Sequence, residues 1–256
     1  MKDIVALIPF DMQKVYNDIV SGTGERRMAV LIDPENEHLL QIAPKIKKIN
    51  SSAATHIFVG GSTDPDSRID AVIKEIKKHT DLPVVIFPGD TNQISASADA
   101  LLFLSLISGR NPDYLIGKHV TAVPKIIEAG LEVIPTAYVL IEGGSVSAVE
   151  RVSKTKPLSI NNVETIVKTA KAGELLGMNL VYLEAGSGAV FPVPEEVIQA
   201  VKNNLNIPLI VGGGIKTKEQ LEAVYEAGAD MVVVGTAFEQ DTSFFETQLN
   251  LKMMIK

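Results

Sequence analysis

"IPLIVGGGIKTKEQLEAVYEAGADMVVVGTAFE", residues 207 to 239, holds one complete unit of the fold. An apolar, β-branched run ends in Gly212, Gly213 and Gly214, a polar helix-forming stretch follows, and a second apolar run ends in Gly235 and Thr236. Neither run alternates apolar with polar residues. Strands apolar on both faces and joined through a helix belong to a parallel sheet covered by helices. Thr217 and Gln220 have the spacing of a capping box, which starts the intervening helix.

The same pattern recurs in both directions along the chain. Further runs are "MAVLID" (28–33), "THIFVG" (55–60), "PVVIFP" (83–88), "ALLFLS" (100–105), "EVIPTAYVLI" (132–141) and "NLVYLEA" (179–185). Between them lie helical patterns, such as Ile69, Val72, Ile73 and Ile76 on one face of a helix. Eight runs in 256 residues match the count and size of a (β/α)8 TIM barrel, an α/β fold. A doubly wound open sheet is the alternative, and it is weakened because no G-x-G-x-x-G turn follows the first run. No linker interrupts the alternation, so residues 1–256 read as a single domain. Residues 2–20 carry Ile4, Ile8, Met12, Val15 and Ile19 at helical spacing and predict an extra N-terminal helix. The stretch 142–159 is longer and more polar than the other connections, and serves equally as a lid or as a surface loop.

Composition narrows the function. A net charge of −7 without a basic tract argues against nucleic-acid binding. The absence of cysteine excludes disulfides and thiolate metal sites and fits a reducing, cytoplasmic setting. No apolar run approaches the ~20 residues that would span a bilayer, and no signal pattern opens the chain, since Asp3, Asp11 and Lys14 interrupt it.

Chemistry in this architecture sits at the C-terminal ends of the strands. There, Gly212 to Gly214 and Gly235 with Thr236 leave backbone amides for a phosphate, in the serial positions of strands seven and eight. Asp33 closes the first strand before Pro34. Spacing alone leaves it either an N-cap for the helix carrying Leu39 and Leu40 or a ligand for Mg2+, with Ser62 and Thr63 after the second strand supplying a hydroxyl. In "YLEAGSGA" (182–189), Tyr182 and Glu184 are two apart and share the inward face, and Gly186, Ser187 and Gly188 extend the set of small residues near the phosphate. The glutamate is placed to meet a hydroxyl proton of a small phosphorylated ligand. Asp64 and Asp66 read as caps of the helix after the second strand, and "INN" (160–162) as another cap. "FPGDTNQIS" (87–95) reads as a polar turn. His38, His56, His79 and His119 lack paired ligand spacing and take surface or structural roles. No nucleophile–base pair declares itself in the sequence.

Taken in order, "LIDPE", "VGGST", "FPGDTNQIS", "FLSLISGRNPDYLIGKHV", "EVIPTAYVLI", "YLEAGSGA", "VGGGIKT" and "VVVGTAFE" resemble the geranylgeranylglyceryl phosphate synthase family over nearly the whole chain. The resemblance implies Mg2+-dependent transfer of a geranylgeranyl group from geranylgeranyl diphosphate to the 3-hydroxyl of sn-glycerol 1-phosphate, giving an ether-lipid precursor. It also implies Asp33 and Ser62 as metal ligands. It gives Tyr182 and Glu184 catalytic roles. It places the acceptor against Tyr182, Leu183, Glu184, Ala185, Gly186, Ser187 and Gly188, with the phosphate at Gly213, Gly214, Gly235 and Thr236. Transient contact with a membrane surface through the prenyl substrate and a homo-oligomeric state are further expectations. A related bacterial branch with longer donors carries lysine two residues before the aspartate, where this chain has Leu31, which favours the geranylgeranyl donor. Asp90 and Thr91 stand where a neutral residue and proline are expected. The alternatives are a heptaprenylglyceryl phosphate synthase-like enzyme, an isomerase or aldolase on another phosphate-binding barrel, and a catalytically silent ligand-binding or scaffold barrel. A lysine at a strand end would mark an aldolase, and no convincing one is found.

Overall fold

The computed structural model describes residues 13–21, 26–61 and 68–235. Eight parallel strands close into a barrel in chain order: β1 Arg27–Ile32, β2 His56–Val59, β3 Val84–Ile86, β4 Ala100–Leu106, β5 Glu132–Leu140, β6 Leu180–Glu184, β7 Leu209–Gly212 and β8 Met231–Val234. Each lies within one of the eight apolar runs or extends it by a residue. Both faces of the strands are buried because two cores use them. Ala29, Phe58, Leu102, Ile134, Leu180, Ile210 and Met231 fill the barrel interior, while their neighbours in sequence pack outward against the helices.

The helices are α1 Lys14–Ser21, α2 Leu39–Asn50, α3 Ile69–Lys77, α4 Lys118–Ala129, α5 Ala148–Ser153, α6 Val163–Leu175, α7 Glu195–Lys202 and α8 Lys218–Glu226. Ile69, Val72, Ile73 and Ile76 are all buried on α3, as their spacing requires. Thr217 and Gln220 form the capping box of α8, and Asn162 caps α6 through the Thr165 amide. The expected N-terminal helix is present as α1, while Ile4, Ile8 and Met12 lie outside the described residues. Val15 and Ile19 of α1 join the barrel-interior core, each side chain contributing roughly 1.5–3 kcal/mol on full burial. Glu132, at the start of β5, accepts hydrogen bonds from the Val15 and Tyr16 amides at 2.9 and 2.8 Å. The helix therefore closes the N-terminal end of the barrel.

One departure from the regular (β/α)8 pattern positions the site. No helix separates β3 from β4, and residues 87–99 cross as an irregular loop. β3 is short and pairs with β4 only at Val85–Ala100 and Ile86–Leu101. The upper part of β4 therefore has no β3 neighbour, which leaves a gap in the barrel wall. The polar turn read at "FPGDTNQIS" is this loop.

Candidate active site

The C-terminal ends of the strands surround a cavity of about 630 Å³. On β6, side chains alternate, so Leu180, Tyr182 and Glu184 point inward. Leu183 and Ala185 point the other way, into the layer between strands and helices. Contact of these two residues with the acceptor, expected from the resemblance, would be through backbone atoms. Their side chains do not reach the cavity, and the Ala185 amide is bonded to the Gly212 carbonyl at 3.0 Å.

Glu184 is buried at the cavity wall, where its Oε1 accepts a 2.6 Å hydrogen bond from the Gly186 amide. Loss of hydration raises its pKa from 4.5 to about 7, against the opposing pull of that amide and of the Tyr182 hydroxyl nearby. Such a carboxyl is poised to exchange a proton near neutral pH. Burial, with Glu184 beside it, pushes the Tyr182 phenol well above its ordinary value. Tyr182 stays protonated, so it contributes its ring and its O–H group rather than a base. Its hydroxyl sits over the backbone of β7, where a Cβ on Gly212 would come within 2.3 Å of it.

Three glycine-bearing turns line the cavity with Glu184. Gly186, Ser187 and Gly188 follow β6, Gly213 and Gly214 follow β7, and Gly235 follows β8. Gly213 has φ +86°, and a Cβ there would lie 2.5 Å from Glu184 Oε1 and 2.6 Å from the Gly186 nitrogen. Only glycine fits between the two turns. The Gly186 amide, expected to face a phosphate, is instead taken by Glu184. Among the described residues, no partner takes the amides of Ser187, Gly188, Gly213, Gly214 or Gly235. A concavity of such amides suits an anion. Thr236 lies outside the described residues. Lys216 also lines the cavity, and its Nζ lies 3.3 Å from the Val190 carbonyl. The sequence reading passed over it, although it stands two residues beyond the triple glycine and adds the charge a phosphate calls for.

Asp33 lines the opposite side of the same cavity. It accepts a hydrogen bond from the Glu35 amide at 3.0 Å and another from the Asn36 side chain at 3.1 Å, capping a single 3-10 turn, Pro34–Asn36. The helix carrying Leu39 and Leu40 starts separately after His38, so Asp33 is not its cap. The carboxylate packs against Gly61, where a Cβ would lie 2.8 Å from Oδ1. Ser62, Thr63, Asp64 and Asp66 lie outside the described residues. Among the described residues, no group of three His, Cys, Asp or Glu side chains could hold a metal by itself. One carboxylate at the cavity wall suits Mg2+, which is commonly held by one or two carboxylates together with substrate phosphates and water.

The segment 142–159 forms part of the wall. Ser147 caps α5, whose Ala148 and Val149 line the cavity, and Gly143 lies so close to the Ala185 carbonyl that a Cβ would come within 2.3 Å. From the mouth, an apolar slot leaves through the gap above β3. It begins at Phe87, Leu104, Leu106 and Tyr138 and reaches Leu101 and Phe103 on the outer face of β4, against Ala122 and Ile126 of α4. Along β4 this is about 17 Å, at roughly 3.3 Å per residue. His119 packs edge-on against Phe103 at 4.4 Å, and burial lowers its pKa, which favours a neutral imidazole in the slot wall. Asp90, on the loop, pairs with Lys118 of α4 at 2.9 Å over the slot, which accounts for an acidic residue in that loop. His56 lies at the far end of the barrel, so its structural assignment stands.

Glycine turns with free amides, a buried carboxyl and an apolar slot meet at one mouth of a closed parallel (β/α)8 barrel, the architecture of a TIM-barrel enzyme. The PcrB family model matches residues 22–254. Geranylgeranylglyceryl phosphate synthase of Zunongwangia profunda is 54% identical over 230 residues, covering 89% of this chain and 98% of its own. That of Pyrococcus abyssi is 40% identical over 232 residues, covering 90% and 91%. The crystal structure of (S)-3-O-geranylgeranylglyceryl phosphate synthase from Thermoplasma acidophilum, in complex with sn-glycerol-1-phosphate, superposes with a TM-score of 0.85 at 39% identity, covering 91% and 94%. The chain belongs to the PcrB family, among its geranylgeranylglyceryl phosphate synthases, and is a prenyltransferase.

Proposed function

We propose that the chain transfers a geranylgeranyl group from its diphosphate to the 3-hydroxyl of sn-glycerol 1-phosphate, with Mg2+ on the donor. The observation that carries the reading is the meeting of two unlike spaces, a polar cradle and an apolar slot, at Phe87 and Tyr138. A phosphate fits the turns after β6, β7 and β8, with Lys216 adding charge. That placement sets the glycerol beside Glu184, which takes the proton of the attacking hydroxyl. The slot takes the tail, and Asp33 faces the diphosphate from the other side of the mouth.

Asp33, with Ser62 by resemblance, would hold the Mg2+, which supplies neutralisation of the leaving diphosphate. The protein's own contribution is placement. Two reactants held in a common cavity gain the advantage of an intramolecular reaction, and the apolar walls keep water from the electron-poor carbon. The test is to incubate the protein with sn-glycerol 1-phosphate and farnesyl, geranylgeranyl or heptaprenyl diphosphate, with and without Mg2+, and to read the products by mass spectrometry. The expected result is the geranylgeranyl ether, formed only with the metal. Preferential use of the heptaprenyl donor would favour the longer-donor relative, and no ether from any donor would overturn the reading.

A further inference from the structure

At the junction of cradle and slot, three aromatic rings form one cluster. Phe87 and Tyr138 lie 5.8 Å apart between centroids, Phe87 and Tyr182 5.4 Å, and Tyr138 and Tyr182 5.4 Å. Phe87 and Tyr138 line both spaces, and Tyr182 lines the cradle beside Glu184. A donor with its tail in the slot and its diphosphate at the mouth must place its first carbons at this junction. Glu184 lies beside both tyrosines at that point.

We infer that the faces of Phe87, Tyr138 and Tyr182 stabilise the positive charge that develops on the allylic carbons during transfer. The inference rests on the prenyl-transfer reading above. In the step, the bond from C1 to the diphosphate oxygen breaks and its electron pair leaves with the diphosphate. A lone pair of the glycerol hydroxyl oxygen forms the new C1–O bond, and its proton passes to Glu184. Between breaking and forming, C1 and C3 of the allyl group carry positive charge. An aromatic face attracts a cation through its quadrupole, most strongly where water is excluded. Both tyrosines are buried and held as neutral phenols, so the charge meets ring faces rather than a phenolate that would trap it covalently.

The backbone fixes Phe87 in this position. Its amide bonds to the Val59 carbonyl at 2.9 Å, and a Cβ on Gly60 would lie 1.9 Å from the Phe87 carbonyl oxygen. Glycine at 60 is therefore what lets the first residue after β3 swing its ring over the mouth.

The experiment is a single-turnover measurement with geranylgeranyl diphosphate, sn-glycerol 1-phosphate and Mg2+, replacing Phe87 site-specifically by 4-fluoro-, 3,4,5-trifluoro- and pentafluorophenylalanine. Fluorine withdraws charge from the ring face and changes its shape little. The transfer rate should fall stepwise, by roughly 5- to 30-fold across the series, with both KM values and the melting temperature held. Tyr138→Phe should keep most of the rate and Tyr138→Leu should lose it. A flat fluorination series, or equal rates for the two Tyr138 variants, overturns the inference while leaving the prenyl-transfer reading intact. A parent protein that transfers no prenyl group from any diphosphate overturns both.

Discussion

Glu184 and Gly213 occupy adjoining space across the barrel mouth, so that a single methyl group on Gly213 would sit 2.5 Å from the carboxylate oxygen. The carboxyl and the glycine turns are thus one packed unit. Gly213→Ala should lower acceptor affinity and turnover together, because it displaces Glu184 while crowding the Gly186 amide. It should also cost about 1–2 kcal/mol of stability, since φ is positive there. Titration calorimetry with sn-glycerol 1-phosphate and a urea unfolding curve check the two parts. Unchanged acceptor affinity in a folded variant would contradict the shared packing.

Glu184→Gln should slow transfer by about 10²–10⁴-fold, the usual contribution of a general base. In the parent, the rate should rise with pH through about 7, as the carboxyl ionises. The Gln variant should lose that limb. A near-parental single-turnover rate in this variant, saturated with both substrates, would leave Glu184 as a hydrogen-bond partner only. Stability should move the opposite way. Between 4.5 and about 7 the folded chain keeps a proton that the unfolded chain has released, so folding weakens as pH rises through that window. At pH 8, therefore, Glu184→Gln should unfold at a higher urea concentration than the parent, and at pH 4 the gap should close.

Asp33→Asn keeps a side chain able to cap the 3-10 turn, so the fold should survive. Turnover should be abolished at ordinary Mg2+ concentrations while acceptor affinity stays within about twofold. Calorimetry separates the two: acceptor binding lost with Mg2+ dependence retained would move Asp33 to the acceptor side.

His56 predicts an acid weakness at the other end of the barrel. It is fully buried, with Nδ1 2.9 Å from the Thr55 hydroxyl and Nε2 3.5 Å from Asp18. Burial lowers its pKa from 6.5 to about 4, with Asp18 opposing and Arg27 assisting. In that window the unfolded chain binds a proton that the folded chain refuses, so stability falls as pH drops from 6.5 toward 4. The loss attached to His56 is on the order of 3 kcal/mol. His56→Asn should flatten this part of the stability curve relative to the parent, read from urea midpoints at pH 7 and pH 4.5. An equal slope in both proteins would assign the acid sensitivity elsewhere.

The sequence by itself determined an eight-stranded parallel α/β fold and favoured the barrel, because eight strands buried on both faces leave a clear pattern of apolar runs separated by helical spacing. It also determined that Tyr182 and Glu184 share a face, since alternation along a strand is a local property of the backbone. The glycines after β6 and β7 could be placed at the mouth for the same reason. Tertiary structure decided what each of these groups meets. That Glu184 takes the Gly186 amide, that Asp33 caps a 3-10 turn of its own, and that Lys216 reaches the cavity depend on turn conformations that residue order does not specify. The slot is the clearest case. Its walls come from β4, α4 and the β3–β4 loop, and it exists because β3 is too short to pair with the upper part of β4. The aromatic cluster likewise joins Phe87, Tyr138 and Tyr182 from three strand ends, a proximity set by closure of the barrel, and closure is a property of all eight strands together.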